Sequence, residues 1–386
     1  MLWSNKFNEH TFITVLTFLL HKKFWLPILL LVMLTVAVEL VLRSGIYNRW
    51  VQPNTLLGHS IHQIKALERF GNTRVHWLTL GDSKVDWGIN HRKLKSWQRA
   101  KGINHLRLSM PGSNFMTYQT ASEWSMDEYP NLQGIFFGLY ENELVTHSNP
   151  NKEFSITWPF KKYLNFDRFN YFHHTNLANH WFKLTAIYHY LPDIKAFIAD
   201  LQQRQHLINE ASTDWQQAIN FNHSVSRDMC EYNLSDLTAC IKTAQRLSGL
   251  KSLPRGTKTP YRKCSTEQAS ARVKNQQWRP EAIDLQPHFE QWQYLFNEIL
   301  KRDKHVILAL LPEHPFFGYM SKPSNTNQLV DQLNTSFADH PKFRIIDLRD
   351  LFNDQNACEF FTDTIHFNRK GNNRVTAAII DRLSTN

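Results

Sequence analysis

The sequence predicts an α/β domain built on a parallel sheet and carried behind one N-terminal apolar span. Three observations predict it. Short apolar runs of strand length occur at 75–80, 105–110, 134–140, 306–311 and 343–348. Helical patterns alternate with them, and a chain that crosses back over its sheet between strands makes those strands parallel. Finally, Phe24 to Leu42 is almost uninterruptedly apolar, about the length needed to cross a hydrocarbon core of about 30 Å.

The elements follow in order. Residues 1–23 form a cytoplasmic or interfacial N-terminus, 24–42 a transmembrane anchor, and 70–386 the soluble domain, with an insertion at about 145–285. Pro27 falls in the first turn of the span, where a missing amide costs little, and Glu39 falls near the other end, within reach of lipid headgroups. Lys6, Lys22 and Lys23 before the span against Arg43 and Arg49 after it slightly favour a cytoplasmic N-terminus. Thr35-Val36-Ala37 offers the alternative of a cleaved leader, but the apolar run is long for a signal core. A shorter patch, Thr11 to Leu20, either lies in the membrane interface or extends the entering helix.

Beyond the span, the runs at 75–80, 105–110 and 134–140 each precede a plausible helix. The pattern resumes after the insertion. Phe289, Trp292, Leu295, Phe296, Ile299 and Leu300 recur at helical spacing between Pro287 and Lys301, ahead of the strand Val306 to Leu311. Phe343 to Leu348 is the last strand and Arg369 to Leu383 the closing helix. The insertion crowds Trp158, Phe160, Tyr163, Phe166, Tyr171, Phe172, Trp181 and Phe182 together. It reads as mainly helical and placed over the strand ends, shaping a groove or a docking face; ordinary packing on the sheet accounts for it equally well.

The strand ends carry the chemistry. Gly81-Asp82-Ser83 follows the first strand, and Asp363-Thr364-Ile365-His366 stands near the C-terminus. A serine hydroxyl needs an imidazole to take its proton, and the imidazole needs a carboxylate to fix its tautomer. Gly112 in Pro111-Gly112-Ser113-Asn114 and Asn142 in Tyr140-Glu141-Asn142-Glu143 follow the next two strands, where an amide and a side chain can face a developing oxyanion. Singly, each has a structural explanation: Gly-Asp-Ser is common turn chemistry, and Asp363 could cap the last helix with His366 merely packed.

In this order the motifs resemble the SGNH, or GDSL-type, hydrolase superfamily, whose four blocks supply Ser, Gly, Asn and an Asp-x-x-His pair. The matching positions are Ser83, Gly112, Asn142, Asp363 and His366, at the two ends of the soluble region. The third block departs from the family's Gly-x-Asn-Asp by carrying Tyr140 and Glu143. The resemblance implies an SGNH-type three-layer α/β/α sandwich. It also implies a Ser83-His366-Asp363 triad, and an oxyanion hole made by the Ser83 and Gly112 amides and the Asn142 side chain. It asks for no cofactor and no metal.

The layout, one span ahead of an outward-facing domain, is similar to that of bacterial cell-envelope acylation proteins. These include the D-alanyl-lipoteichoic acid biosynthesis type and, more loosely, exopolysaccharide O-acetylation accessory proteins. That likeness implies a single-pass protein of the cytoplasmic membrane facing the periplasm or exterior. It further implies an acylated donor, a cell-envelope glycan acceptor and a membrane-bound O-acyltransferase partner, with acyl transfer and ester hydrolysis both open. His314, after the 306–311 strand, is a possible substrate contact. A noncatalytic scaffold that binds glycan or the acyltransferase is the competing expectation, motivated by the altered third block.

Composition narrows the partners. The net charge is +10 with a pI near 9.3. Arg246, Lys251, Arg255, Lys258, Arg262, Lys263, Arg272 and Lys274 cluster with Glu267 as the only acid among them. Such a segment attracts an anionic polymer or lipid headgroups, or is simply a solvated loop. No nucleic-acid-binding motif is present, and nucleic acid is not expected as a partner. Cys230, Cys240, Cys264 and Cys358 are even in number, which permits disulfides, with Cys230–Cys240 the favoured pair. Free buried thiols are the alternative, and no Cys-x-x-Cys metal spacing occurs.

Overall fold

The computed structural model describes residues 22–53, 55–145, 155–163, 185–199, 204–209, 284–313, 324–352, 360–361 and 366–385. Helix α1 (Lys22–Arg43) holds the apolar span and α2 (Leu56–Phe70) leads into the sheet domain. Then come β1 (Trp77–Gly81), α3 (Ser83–Gly88), α4 (His91–Arg99), β2 (His105–Ser109), α5 (Phe115–Glu128), β3 (Gly134–Tyr140) and α6 (Glu141–Val145). Helix α7 (Ala186–Ala199) belongs to the insertion. The chain closes with α8 (Gln286–Lys301), β4 (His305–Leu311), α9 (Ser324–Phe337), β5 (Phe343–Asp347) and α10 (Arg369–Ser384).

The five strands form one parallel sheet in the order β2-β1-β3-β4-β5. The chain leaves β1 toward one edge and returns on its other side as β3. A doubly wound sheet opens its ligand crevice at such a reversal, outside the carboxyl ends of the strands. Alternation along the strands fills both faces. Ile135, Phe137 and Leu139 of β3 and Val306, Leu308 and Leu310 of β4 meet α2, α5, α8 and α9 in one core. Phe136, Ala309 and Leu311 meet α3, α4 and α10 in the other. Fully buried Trp292 and Phe296 centre the larger core, and the Trp292 indole donates to Leu144 O at 3.1 Å, tying α8 to the end of α6.

The packed body begins earlier than residue 70, because Ile64 and Leu67 of α2 lie in the larger core. Helix α1 is exposed over most of its length: the apolar stretch Trp25–Arg43 is only 6% buried. Its last turn is docked, with Leu42 packed among Val51, Leu57, Trp158 and Tyr190. Glu39 does not reach out to headgroups. Its carboxylate accepts from Ala186 N at 2.8 Å, Ile187 N at 3.0 Å and Arg43 Nε at 2.6 Å. It therefore satisfies the free amides that open α7. Further on, Asp193 of α7 accepts from Gln52 N at 2.7 Å and Tyr47 Oη at 2.8 Å, and pairs with Arg204 at 2.8 Å. Helix α7 of the insertion thus packs on α1 and α2 rather than over the strand ends.

Candidate active site

Ser83 opens α3 directly beyond β1. Asp82 caps the helix, its Oδ1 accepting from Lys84 N at 2.7 Å. The helix lies unusually close to the sheet through Val85: a Cβ on Gly81 would come within 2.3 Å of Val85 Cγ2, and one on Gly138 within 2.6 Å. Only glycine at the end of β1 and at its β3 neighbour lets α3 sit this low. The serine is thereby held in the β1/β3 crevice on regular structure rather than on a loop.

His366 arrives from the far end of the chain, its Nε2 lying 3.2 Å from Ser83 Oγ across a separation of 283 positions. This is hydrogen-bond reach for a general base. Buried Phe367 anchors the imidazole's backbone, stacked on Phe361 with ring centroids 4.6 Å apart. The Trp87 ring lies 5.2 Å from that of His366. Asn368 Oδ1 accepts from Gly371 N at 3.0 Å and so caps α10, the role weighed for Asp363. Side-chain bonds then lock α10 to the serine's helix and to the start of α4: Asn372 Nδ2 donates to Trp87 O at 2.8 Å, and Asn90 N donates to Thr376 Oγ1 at 2.7 Å.

Beside the serine is a buried charge cluster. Lys84 Nζ lies 3.2 Å from Glu143 Oε1 and 3.7 Å from Asp82 Oδ2, with the Tyr140 ring centroid at 4.5 Å. Glu143 Oε2 also accepts from Tyr140 N at 2.9 Å. Burial, reinforced by the Asp82 charge, pushes the Glu143 carboxyl well above its ordinary range, since two carboxylates share one ammonium. Burial opposes the Lys84 charge, yet Glu143, Asp82 and Glu313 outweigh it and raise its pKa. Tyr140 and Glu143 are therefore both partners of Lys84, the residue that follows Ser83. The sequence offers no sign of this, because Glu143 looks like an ordinary acid in a helix's first turn.

Gly112 has φ of 76° in the turn closed by Ser113 N to Met110 O at 3.0 Å, a conformation that favours glycine. A polar lattice supports this loop from behind. Ser109 Oγ donates to Asp86 of α3 at 2.5 Å, Arg107 pairs with Asp86 at 2.7 Å, and Gln63 Nε2 donates to Ser109 O at 2.6 Å. Burial holds His59, which bonds the same carbonyl, below its ordinary pKa.

Asn142 lies in the first turn of α6, just past the end of β3. Asp363 and His314 lie outside the described residues, as do all four cysteines and the basic segment from Lys242 to Arg279. Glu313, one position before His314, contributes to the field at Lys84. Among the described residues no cluster of His, Cys, Asp or Glu is suited to holding a metal ion. No family model matches the chain, and no curated protein matches it.

Proposed function

We propose that the chain is a membrane-anchored serine acyltransferase or esterase of the SGNH type, acting on acyl groups of a cell-envelope glycan outside the cytoplasmic membrane. The observation that carries the reading is the Ser83–His366 hydrogen bond at the carboxyl end of the sheet. Ser83 Oγ attacks the acyl carbonyl as His366 Nε2 takes its proton, and Asp363 is assigned to orient the imidazole. The carbonyl oxygen becomes an oxyanion received by the Ser83 and Gly112 amides and the Asn142 side chain. Collapse expels the donor's leaving group, which takes the proton back from His366. A glycan hydroxyl or water, deprotonated by His366, then attacks the acyl-enzyme and releases Ser83. Anchoring is supported by the exposed apolar face of α1, and the glycan and acyltransferase partner by the resemblance in layout.

The test is labelling of the full chain in detergent with a fluorophosphonate probe, with the adduct mapped by peptide mass spectrometry. The expected result is one adduct on Ser83, lost in Ser83→Ala and reduced at least about 100-fold in rate in His366→Ala, the low end for a positioned base. Absence of an adduct on a protein with a normal melting transition would overturn the enzyme reading and favour the scaffold.

A further inference from the structure

At the foot of α1 the structure holds a cavity of about 220 Å³, lined in part by Leu42, Arg43, Lys65, Glu68, Trp158 and Lys161. It is lined by none of the residues of the Ser83–His366 pair and is framed by the last turn of α1, by α2 and by the turn at Trp158–Tyr163. Three cations and a single carboxylate line it. Arg43 is engaged by Glu39 at 2.6 Å, while Lys65 Nζ donates to Asn48 O at 2.9 Å and feels the attraction of Glu68 in the same lining. Burial and the nearby Arg69 lower the Lys65 pKa; burial and Arg43 lower that of Lys161. Glu68 is shifted the opposite way, upward, by burial and by Glu128. Burial is the largest cause of all three shifts, and the charge balance of the cavity is read from its lining, three cations to one carboxylate. Arg43 and Lys161 stand 5.6 Å and 4.9 Å from the Trp158 ring centroid, and the buried Trp158 Nε1 has no acceptor among the described residues.

We propose that this cavity binds the phosphate of an anionic phospholipid at the outer face of the membrane. The inference rests on the reading that α1 crosses the bilayer. The cavity opens where the apolar span ends, at Leu42 and Arg43, which is the depth of lipid phosphates. Acyl chains leaving the phosphate would lie along the exposed Leu34, Val38 and Val41 of α1. Trp124, Trp158 and Tyr190 supply the aromatic lining typical of that level. A bound phosphate joins Arg43 of the span, Lys65 of α2 and Lys161 of the insertion, so the lipid would brace the domain against the membrane.

The experiment uses the full chain. Alkaline carbonate washing of membranes comes first: release of the chain overturns the anchor reading and this inference with it. For a retained chain, the detergent-purified, delipidated protein is titrated with dioctanoyl phosphatidylglycerol, dioctanoyl phosphatidylcholine or inorganic phosphate and read by native mass spectrometry. The expected result is one phosphatidylglycerol bound in preference to phosphatidylcholine. Binding should fall roughly 30-fold in Lys65→Ala/Lys161→Ala, as for loss of two interfacial cations, and stay unchanged in Lys301→Ala. Lys161→Gln, at an exposed position of the Trp158–Tyr163 turn, provides a milder variant, expected to weaken binding about fivefold. Equal retention of both lipids, or insensitivity to the lysine variants, overturns the lipid site while leaving the anchor intact. Inorganic phosphate bound as tightly as the lipid overturns the assignment to a headgroup.

Discussion

Removing the Lys84 ammonium tests whether the carboxylates beside Ser83 are held in place by charge. The side chains of Lys84, Glu143 and Asp82 are 19%, 8% and 9% exposed, with the ammonium 3.2 Å and 3.7 Å from the two acids. Breaking a buried pair costs roughly 3–5 kcal/mol, and the partial exposure of Lys84 places Lys84→Met near the lower end, about 3 kcal/mol. The loss has a pH signature. The Lys84 pKa is raised above its ordinary value of 10.5, so its contribution is fully present below that pH and is lost only as pH climbs through the folded value.

The Glu143 pKa is also raised, so the native state binds that proton more tightly than the unfolded chain. Its stabilising share is complete below the ordinary value of 4.5 and declines as pH rises through the folded value. Without Lys84 the folded value climbs further, and the decline extends to higher pH. Guanidinium unfolding of the detergent-solubilised chain, followed by near-ultraviolet circular dichroism, should give a loss of about 3 kcal/mol near pH 8. The loss should shrink to about 1 kcal/mol near pH 4.5, where Glu143 is neutral. Lys84→Met/Glu143→Gln should recover about half of the loss at the higher pH. An equal loss at both pH values, or a double variant as unstable as the single, would refute the argument and reduce Lys84 to a space-filling role.

Two further perturbations probe what positions the serine. Gly138→Ala places a Cβ 2.6 Å from Val85 Cγ2; it should cost about 1–3 kcal/mol and slow fluorophosphonate labelling of Ser83, with both effects relieved by Val85→Ala, as read by thermal melts and labelling rates. Asp86→Ala removes the carboxylate paired with Arg107, whose side chain is 7% exposed, and the acceptor of Ser109 Oγ; it should cost about 3 kcal/mol in guanidinium unfolding, with Asp86→Asn losing less because it still accepts from Ser109.

The sheet was legible because its strands are buried on both faces and therefore stand out as dense apolar runs between turns. Each of the expected strands lies within two residues of an observed one, and the helix expected at Pro287–Lys301 occupies Gln286–Lys301. Ser83 and His366 were legible as turn-borne residues of a recognisable order. What brings them together was not, because Asn90, Asn372 and Thr376 look like routine polar positions of two helices until α10 is laid against α3 and α4. Glu39 misled for the same reason. Read locally, an acid near the end of an apolar span has headgroups and Arg43 to meet, whereas it also accepts from amides 147 and 148 positions away.

The altered third block has the same kind of explanation. Tyr140 and Glu143 invite the view that the site has decayed, and that view was the motive for a noncatalytic scaffold. Yet Glu143 caps the turn after β3 and neutralises Lys84, while the Tyr140 ring covers Lys84 on one side and stacks on Phe367 on the other, with centroids 6.1 Å apart. Lys84 follows Ser83 and Phe367 follows His366. The two unusual residues are thus matched to a third, Lys84, and contact the neighbours of both members of the Ser83–His366 pair. A buried lysine without Glu143 would be costly. Tyr140 and Glu143 thus form one set with Lys84 beside the Ser83–His366 pair, an arrangement that supports the proposed enzyme reading over the scaffold.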